Sequence, residues 1–188
     1  DIDTTRKSYD VAPLSIATLV NPVVTIAKGS HTGYVKLKFK SSDFLGHDYG
    51  VGIKITNVDK PGYAISGNMN WSVVALVVKN KYDGIYHAAG IFHHPTAGDR
   101  TIDEDKELVT AGPNSVTAPL GDLGGSNYFM VLTVNPDNSV TIAPEGATPN
   151  IDQSWGPNYY DPVGKAFHLF YSYNGAAPRK IEETITLK

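Results

Sequence analysis

The feature that most constrains the fold is a regular alternation of apolar and polar residues in several short segments. In "GYVKLKFK" (33–40), Val35, Leu37 and Phe39 alternate with three lysines, and "YGVGIKIT" (49–56) alternates in the same way. Because successive side chains of a β-strand point to opposite faces, this period of two predicts half-buried antiparallel strands. No window of ten or more residues shows convincing helical periodicity, so the sequence predicts an all-β chain.

Two pairs of strand patterns enclose turn-forming residues. "YFMVLTV" (128–134) and "SVTIA" (139–143) flank "NPDN", whereas "AFHLFYSY" (166–173) and "KIEETITLK" (180–188) flank "NGAAPR". Each arrangement predicts a β-hairpin. About eight strand segments follow residue 84. They predict an antiparallel calycin-like or lipocalin-like barrel or half-barrel, whose interior either holds a small ligand or is filled by side chains.

A change of pattern near residue 80 divides the chain. "WSVVALVV" (71–78) is apolar on both faces, which predicts a central or doubly covered strand. "KNKYDG" then breaks the pattern, and Asp83–Gly84 in it is typical of a turn rather than of catalysis. Tyr, Phe and Pro become more common afterwards. We therefore predict a first module at 1–79 and a second at 80–188.

Composition excludes several classes of protein. The net charge of −3 and pI near 6.0 give no electrostatic basis for binding nucleic acid. No apolar run approaches the roughly 18 residues of a membrane-spanning helix. The absence of cysteine excludes disulfides and thiolate metal sites. The chain begins at Asp1 without a signal peptide, which we interpret as a processed or truncated form.

The histidines of "IYHAAGIFHHP" do not have the spacing of a metal site. His87 and His93 share a face of an extended strand, but about 20 Å of strand separates them at roughly 3.3 Å per residue. His93 and His94 point to opposite faces. The sequence contains no HExxH motif and no carboxylate at ligand spacing beside them. We expect no metal here and interpret His93 and His94 as exposed loop residues.

The acidic run "DEDKE" (103–107) places Asp103, Asp105 and Glu107 on one face of a strand. Leu108 stands where a calcium loop requires glycine, so a solvated loop or strand edge is favoured over an ion site. No nucleophile elbow, Ser/His/Asp pattern or phosphate loop is present. The sequence therefore predicts a protein that is not an enzyme, with no catalytic residue and no cofactor.

The loop "NIDQSWGPNYYDP" (150–162) combines aromatic rings with amides and carboxylates. Rings stack on the apolar face of a sugar, and polar groups meet its hydroxyls. The candidate ligand-binding residues are Trp155, Tyr159, Tyr160, Asn158 and Asp152. The alternative is that these rings plug one end of the barrel.

Longer stretches of the chain resemble a known family. "VVTIAKGSHTGYVKLKF", "YGVGIKITNV", "GYAIS", "VVKNKYDGIYHAAG" and the ending "YDPVGKAFHLFYSYNG…RKIEETITLK" are similar to a two-module group of surface lipoproteins from polysaccharide-degrading gut bacteria. The resemblance covers nearly the whole chain, and its motifs are structural. It implies an immunoglobulin-like β-sandwich at 1–79, short by family standards or truncated at its N-terminus, followed by the barrel.

The resemblance also implies a location and a function. It implies export and placement on the outer surface or periplasmic face, with the membrane contacted only through a lipid anchor outside this chain. It brings no catalytic or binding residues. We expect a non-catalytic lipoprotein that binds a glycan or a surface protein partner in adhesion or polysaccharide capture. The alternatives are a carrier of small ligands in the barrel interior and a glycoside hydrolase or accessory enzyme with an unrecognised site. Nothing in the sequence indicates an oligomeric state.

Overall fold

The computed structural model describes residues 9–188 of the chain; residues 1–8, where the predicted first module begins, lie outside the described residues. The described residues are nearly all β. They contain no α-helix and two short 3-10 turns, Ser41–Asp43 and Gly124–Ser126. Within this part of the chain, no helix has the length and apolarity to cross a membrane. The predicted all-β class is therefore confirmed.

The chain forms two compact units, here called the N-terminal unit (up to Val78) and the C-terminal unit (Lys79–Lys188). The described strands of the N-terminal unit are β1 (Asp10–Val11), β2 (Ala17–Leu19), β3 (Leu37–Phe39), β4 (Tyr49–Lys54) and β5 (Trp71–Leu76). β1 lies parallel to β4, which pairs antiparallel with β5, and β2 pairs antiparallel with β3. The immunoglobulin-like assignment of this module stays a prediction.

The apolar segment at 71–78 does not form the covered strand that its composition predicts. β5 lies at the edge of the three-stranded sheet of the described residues, where Trp71 is 63% exposed and Val73 is 53% exposed. A strand is buried by the layer that packs on it, not by its own composition. The described N-terminal unit places no such layer over these side chains.

The C-terminal unit contains one nine-stranded antiparallel sheet. Its strands are β6 (Gly84–His94), β7 (Gly98–Gly112), β8 (Ser115–Pro119), β9 (Tyr128–Val134), β10 (Val140–Gly146), β11 (Ile151–Asp152), β12 (Tyr159–Asp161), β13 (Ala166–Tyr173) and β14 (Arg179–Leu187). The order is β10-β9-β8-β7-β6-β14-β13-β11, and β12 also pairs with β13. Both predicted hairpins, β9–β10 and β13–β14, are confirmed. The short strand β12 has no counterpart among the predicted strands.

The loop between β11 and β12 brings the two ends of this sheet together. The Gln153 amide accepts a hydrogen bond from the Ile142 N–H (2.9 Å) and donates one to its carbonyl (3.1 Å). The Val140 N–H donates to the Asn158 carbonyl, and the Tyr160 N–H donates to the carbonyl of Asn138, both at 2.8 Å. These bonds make the sheet a nearly closed antiparallel barrel, as the predicted fold class requires.

Closure gives each strand an inner and an outer face. On β7, Ile102, Lys106 and Leu108 point inward and are buried, whereas Asp103 and Asp105 are exposed. The acidic run is therefore solvated as expected. However, β7 lies between β6 and β8, which corrects the expectation of a loop or strand edge. Apolar side chains from every long strand of the barrel, including Tyr86, Met130 and Leu169, fill the interior.

Candidate functional site

The predicted sugar-binding loop divides its residues between the inside and the outside of the barrel. Tyr160 is 7% exposed, and its ring packs against Tyr82 and Phe167 with centroids 4.9 Å from each. Burial raises the pKa of the Tyr160 phenol above its ordinary value. A ring packed on both neighbours has no face to offer a sugar. The structure therefore places the Tyr160 ring among the side chains that fill the barrel, the position that the plug alternative describes.

Asn158 also has a structural role. Its amide oxygen accepts a hydrogen bond from the Phe170 N–H at 2.7 Å. Its amide nitrogen donates to the carbonyls of Phe170 (3.1 Å) and Gly156 (3.3 Å). The side chain therefore completes the backbone pairing of the loop with β13. Both ends of this amide are therefore occupied by backbone groups, and a contact of Asn158 with a ligand stays a prediction.

Trp155 and Tyr159 lie on the outer face, against neighbouring outward positions of β13. The Tyr159 ring is 42% exposed and stacks on His168, with centroids 4.6 Å apart and an interplanar angle of 16°. Trp155 is half-buried and meets Phe170 edge-on at 6.1 Å and His93 edge-on at 5.5 Å. We call these five residues the outer aromatic patch.

Polar groups adjoin the outer aromatic patch. The Lys180 ammonium lies 5.2 Å from the centroid of the Trp155 ring. Asp152 is exposed, and its Oδ1 accepts a hydrogen bond from the Ser154 N–H at 2.8 Å. Hydrogen bonds from Ser154, followed by the charge of Lys180, hold the pKa of Asp152 below its ordinary value. The patch therefore presents an ionised acceptor and a cation beside its rings.

The histidines of β6 are held by different neighbours. His93 Nδ1 lies 2.9 Å from Asp99, and its Nε2 lies 3.7 Å from Glu182. The Nδ1 atom of His94 instead accepts hydrogen bonds from the backbone of the turn that follows, including the Ala97 N–H at 3.1 Å. Within residues 9–188, no three His, Asp or Glu side chains stand close enough together to hold a metal ion.

The segment "KNKYDG" anchors the start of the barrel. The Asn80 amide donates to the carbonyls of Gly112 and Ser115, both at 2.8 Å. The carboxylate of Asp83 accepts from the N–H and the hydroxyl of Thr110, also at 2.8 Å. These bonds fasten the segment to the β7–β8 hairpin, where the pairing register shifts between Thr110 and Gly112. The motif acts as a structural clamp.

A charged cluster that the sequence did not predict lies inside the barrel. The Lys106 ammonium lies 2.5 Å from Glu183 Oε2, and both side chains are fully buried. The Tyr171 hydroxyl donates to Glu183 Oε1 at 2.7 Å and accepts from the Gly121 N–H at 2.9 Å. Lys106 and Glu183 occupy inward positions in the alternation of β7 and β14. A charge at an apolar position was the signal that could have revealed them.

The surroundings of this cluster are characterised by a close approach of β6 to β14 at Gly90 and by deep burial. A side chain on Gly90 would clash with the backbone of β14, since its Cβ would lie 2.1 Å from the Glu182 oxygen. β6 can therefore approach the segment that carries Glu183. Burial, followed by the charge of Glu183, raises the pKa of Tyr171 well above its ordinary value, so its hydroxyl stays a donor. The cluster is therefore closed to solvent, and its buried polar groups are paired with one another.

Two clefts lie beside the β13–β14 hairpin. The larger, of about 410 Å³, is lined by Tyr128, Tyr173 and Arg179 together with Ser126 and Asn174. The Tyr128 and Tyr173 rings are 5.9 Å apart, and the Arg179 guanidinium is 5.8 Å from the Tyr173 ring.

The smaller cleft, of about 260 Å³, shares Tyr173 with the larger one and includes Asp152 and Ser172. Tyr173 is therefore common to both clefts, and Asp152 of the smaller cleft adjoins the outer aromatic patch. Both clefts lie within the range of volumes, or just below it, that is usual for small-molecule sites.

Comparisons with known proteins agree with this fold. A family model whose description reads "-like, C-terminal" matches residues 71–188. A Bacteroides ovatus structure described as structural genomics, unknown function, superposes with a TM-score of 0.66 and 18% identity, over 99% of this chain and 74% of that chain. Another Bacteroides ovatus protein of unknown function gives 0.55 and 12%, over 95% and 68%. A search of curated proteins returns no match. At these identities the structural likeness shows the fold alone.

Proposed function

We propose a function for this chain, which belongs to the family of that C-terminal model. It is a non-catalytic surface protein that binds glycans through the outer aromatic patch. In this proposal the chain is exported and is attached to the membrane by a lipid anchor outside this chain. The observation that carries the proposal is the open ring of Tyr159, 42% exposed on the same face as Trp155.

The patch has the chemistry that sugar recognition requires. Tyr159 and Trp155 pack on outward residues of β13 two positions apart, a spacing of about 7 Å along a strand. Rings so placed offer apolar surface to successive units of an oligosaccharide. The carboxylate of Asp152 and the ammonium of Lys180 supply an acceptor and a donor for hydroxyl groups. Flat rings with a few charged neighbours are typical of a shallow glycan-binding surface.

The interior supports the carrier alternative less well. The inward side chains of the barrel form one continuous buried cluster, in which Tyr86, Phe167 and Tyr171 are fully buried. A ligand in the interior would have to displace these rings, and it would meet the closed Lys106–Glu183 pair. The outer face needs no such rearrangement, and we therefore favour it.

A glycan array probed with the purified chain tests the proposal, followed by calorimetric titration of the strongest ligand. Tyr159→Ala should weaken that binding about tenfold, which corresponds to about 1.4 kcal/mol for a stacked ring. Its melting temperature should fall only slightly, because the ring is 42% exposed and loses one stacking contact with His168. The matched control is Tyr63→Ala, which removes a 67% exposed tyrosine of the N-terminal unit. Equal affinity of the Tyr159→Ala variant and the parent chain would reject the patch.

The Trp155→Ala variant distinguishes a ligand-binding role of Trp155 from a role as a plug of the barrel. Because Trp155 is only half-buried, its removal should weaken the same ligand about tenfold or more and lower the melting temperature slightly. If Trp155 were a plug residue, its truncation would instead lower the free energy of unfolding by about 3–5 kcal/mol. A large drop in melting temperature with unchanged affinity would assign Trp155 to the barrel plug together with Tyr160.

A further inference from the structure

Two adjacent cations of β14 face different environments. Lys180 lies on the outer face above Trp155, whereas Arg179 lines the larger cleft with Tyr128 and Tyr173. The alternation of the strand separates them, since neighbouring residues point to opposite faces. The outer aromatic patch and the cleft therefore each receive one positive charge from the same hairpin.

The charge of Arg179 is not compensated within the described chain. Arg100, which also lies near Tyr173, is neutralised by Asp122 through two hydrogen bonds of 2.5 and 2.6 Å. Among residues 9–188, no carboxylate lies within ion-pair distance of Arg179. Its recorded partner is the ring of Tyr173, 5.8 Å from the guanidinium. A guanidinium has a planar set of donors that matches the two oxygens of a carboxylate.

The rest of the cleft suits one sugar unit. Its volume of about 410 Å³ lies within the usual range for small-molecule sites. The rings of Tyr128 and Tyr173 provide apolar surface, and the side chains of Ser126 and Asn174 provide hydroxyl and amide groups. These are the groups that recognise a pyranose ring with hydroxyl substituents.

We infer that this cleft binds the carboxylate of an acidic sugar, so that the glycan of the proposed function contains hexuronate units. The inference rests on the proposed function and names its substrate class. The smaller cleft has Tyr173 in common with the Arg179 cleft, and it is also lined by Asp152, which adjoins the outer aromatic patch. An oligosaccharide that follows the two clefts past Tyr173 would place an acidic unit against Arg179 while its other units stack on the patch.

The test compares an oligogalacturonate with its methyl ester, which has the same sugar rings without the negative charges. Calorimetric titration of the full chain should give about tenfold tighter binding of the free acid than of the ester. Higher salt should reduce this preference, because salt screens charge pairs. Arg179→Gln should remove most of it, leaving only the weaker contribution of Lys180, without changing the affinity for the ester. Lys165→Gln, which removes an exposed charge from a turn of the same unit, is the matched control and should keep the preference.

The variants distinguish this inference from the proposed function. Tyr159→Ala should weaken both the acid and the ester, whereas Arg179→Gln should weaken the acid alone. If acid and ester bind equally and both depend on Tyr159, the acidic-sugar inference is wrong and the patch remains. If Arg179→Gln keeps the preference for the acid, the cleft is not its source and the inference fails. If neither oligosaccharide binds, the inference is likewise rejected, and the array then decides the proposed function on its own.

Discussion

The two units of the chain use similar strand patterns but bury very different amounts of side chain. In the C-terminal unit, inward residues of every long strand join one apolar cluster. In the described N-terminal unit, the buried apolar residues are Ala12, Ala17 and Phe44 alone. Val35 and Phe39, which alternate with lysines, are 44% and 40% exposed.

The difference shows that alternation marks a candidate inner face without burying it. A sheet that closes on itself turns one face of each strand inward, and every inward side chain then meets others across the barrel. An open three-stranded sheet needs a second layer to do the same. The hydrogen bonds of Gln153 and Asn158 therefore affect burial in the whole C-terminal unit, although both residues lie in a loop.

The largest effect is expected from breaking the charge pair inside the barrel. Glu183→Ala leaves the Lys106 ammonium buried without its carboxylate and removes the acceptor of Tyr171. Loss of one partner of a buried pair costs about 3–5 kcal/mol. Chemical denaturation should show this loss in the C-terminal unit.

The matched variant for this test removes both charges. Lys106→Met combined with Glu183→Leu should recover most of the stability, because an apolar replacement leaves no charge unpaired. A Glu183→Ala chain as stable as the parent would mean that water reaches Lys106. The barrel interior would then not be closed to water, and it would not differ in this respect from the open N-terminal unit.

A smaller effect is expected in the N-terminal unit, where Phe44 is the one large, fully buried side chain among the described residues. Its ring packs edge-on against Phe39 at 5.1 Å and Tyr49 at 5.6 Å. Phe44→Ala should cost about 3 kcal/mol, the lower end for a buried phenylalanine, because an open unit can partly collapse around the space. Amide hydrogen exchange should show lost protection in β4 and unchanged protection in β9. Lost protection in β9 would show that the two units unfold together.

The sequence predicted the elements whose determinants are local. The turns at "NPDN" and "NGAAPR" enforce reversals within a few residues, and both hairpins form as expected. The alternation of β7 correctly placed Asp103 and Asp105 on the solvent face. The turn residues and the alternation of β7 each lie within about ten consecutive residues, so both features can be predicted without a structure.

The side-chain environments that the sequence did not predict depend on contacts between residues that are distant in the chain. Lys106 is buried because β14 brings Glu183 to it from 77 positions away. The contacts of the loop residues Tyr160 and Asn158 are not local either, since the Tyr160 ring packs on Tyr82 and the Asn158 amide accepts from the Phe170 N–H. Trp71 has the composition of a core residue but receives no covering layer in the described chain. No local pattern specifies which of these partners is present.

The next prediction concerns the clamp at the start of the barrel. Asn80→Ala removes two hydrogen bonds to backbone carbonyls of Gly112 and Ser115 and one from the Tyr82 N–H. At about 1 kcal/mol for each bond, partly offset by water, the loss should be about 2 kcal/mol. Denaturation of Lys81→Ala, an exposed neighbour, provides the control and should show a loss of about 1 kcal/mol or less. A neutral Asn80→Ala variant would show that the barrel does not depend on this segment for its stability.

The smallest effect is expected from a charge pair of the C-terminal unit that remains partly in water. The guanidinium of Arg100 forms two hydrogen bonds to Asp122, and this holds the pKa of Asp122 below its ordinary value. A lowered folded-state pKa contributes stability that is present above the unfolded pKa of about 3.9 and is lost as pH falls through the folded value. Because the side chains of Arg100 and Asp122 are 38% and 25% exposed, the contribution should be about 1 kcal/mol or less.

The stability difference between the parent chain and Asp122→Asn should therefore be constant from pH 7 to about pH 5 and shrink below pH 4. A difference that persists unchanged at pH 2 would assign the effect to packing of Arg100 on Phe92, 3.5 Å from its ring centroid, rather than to charge.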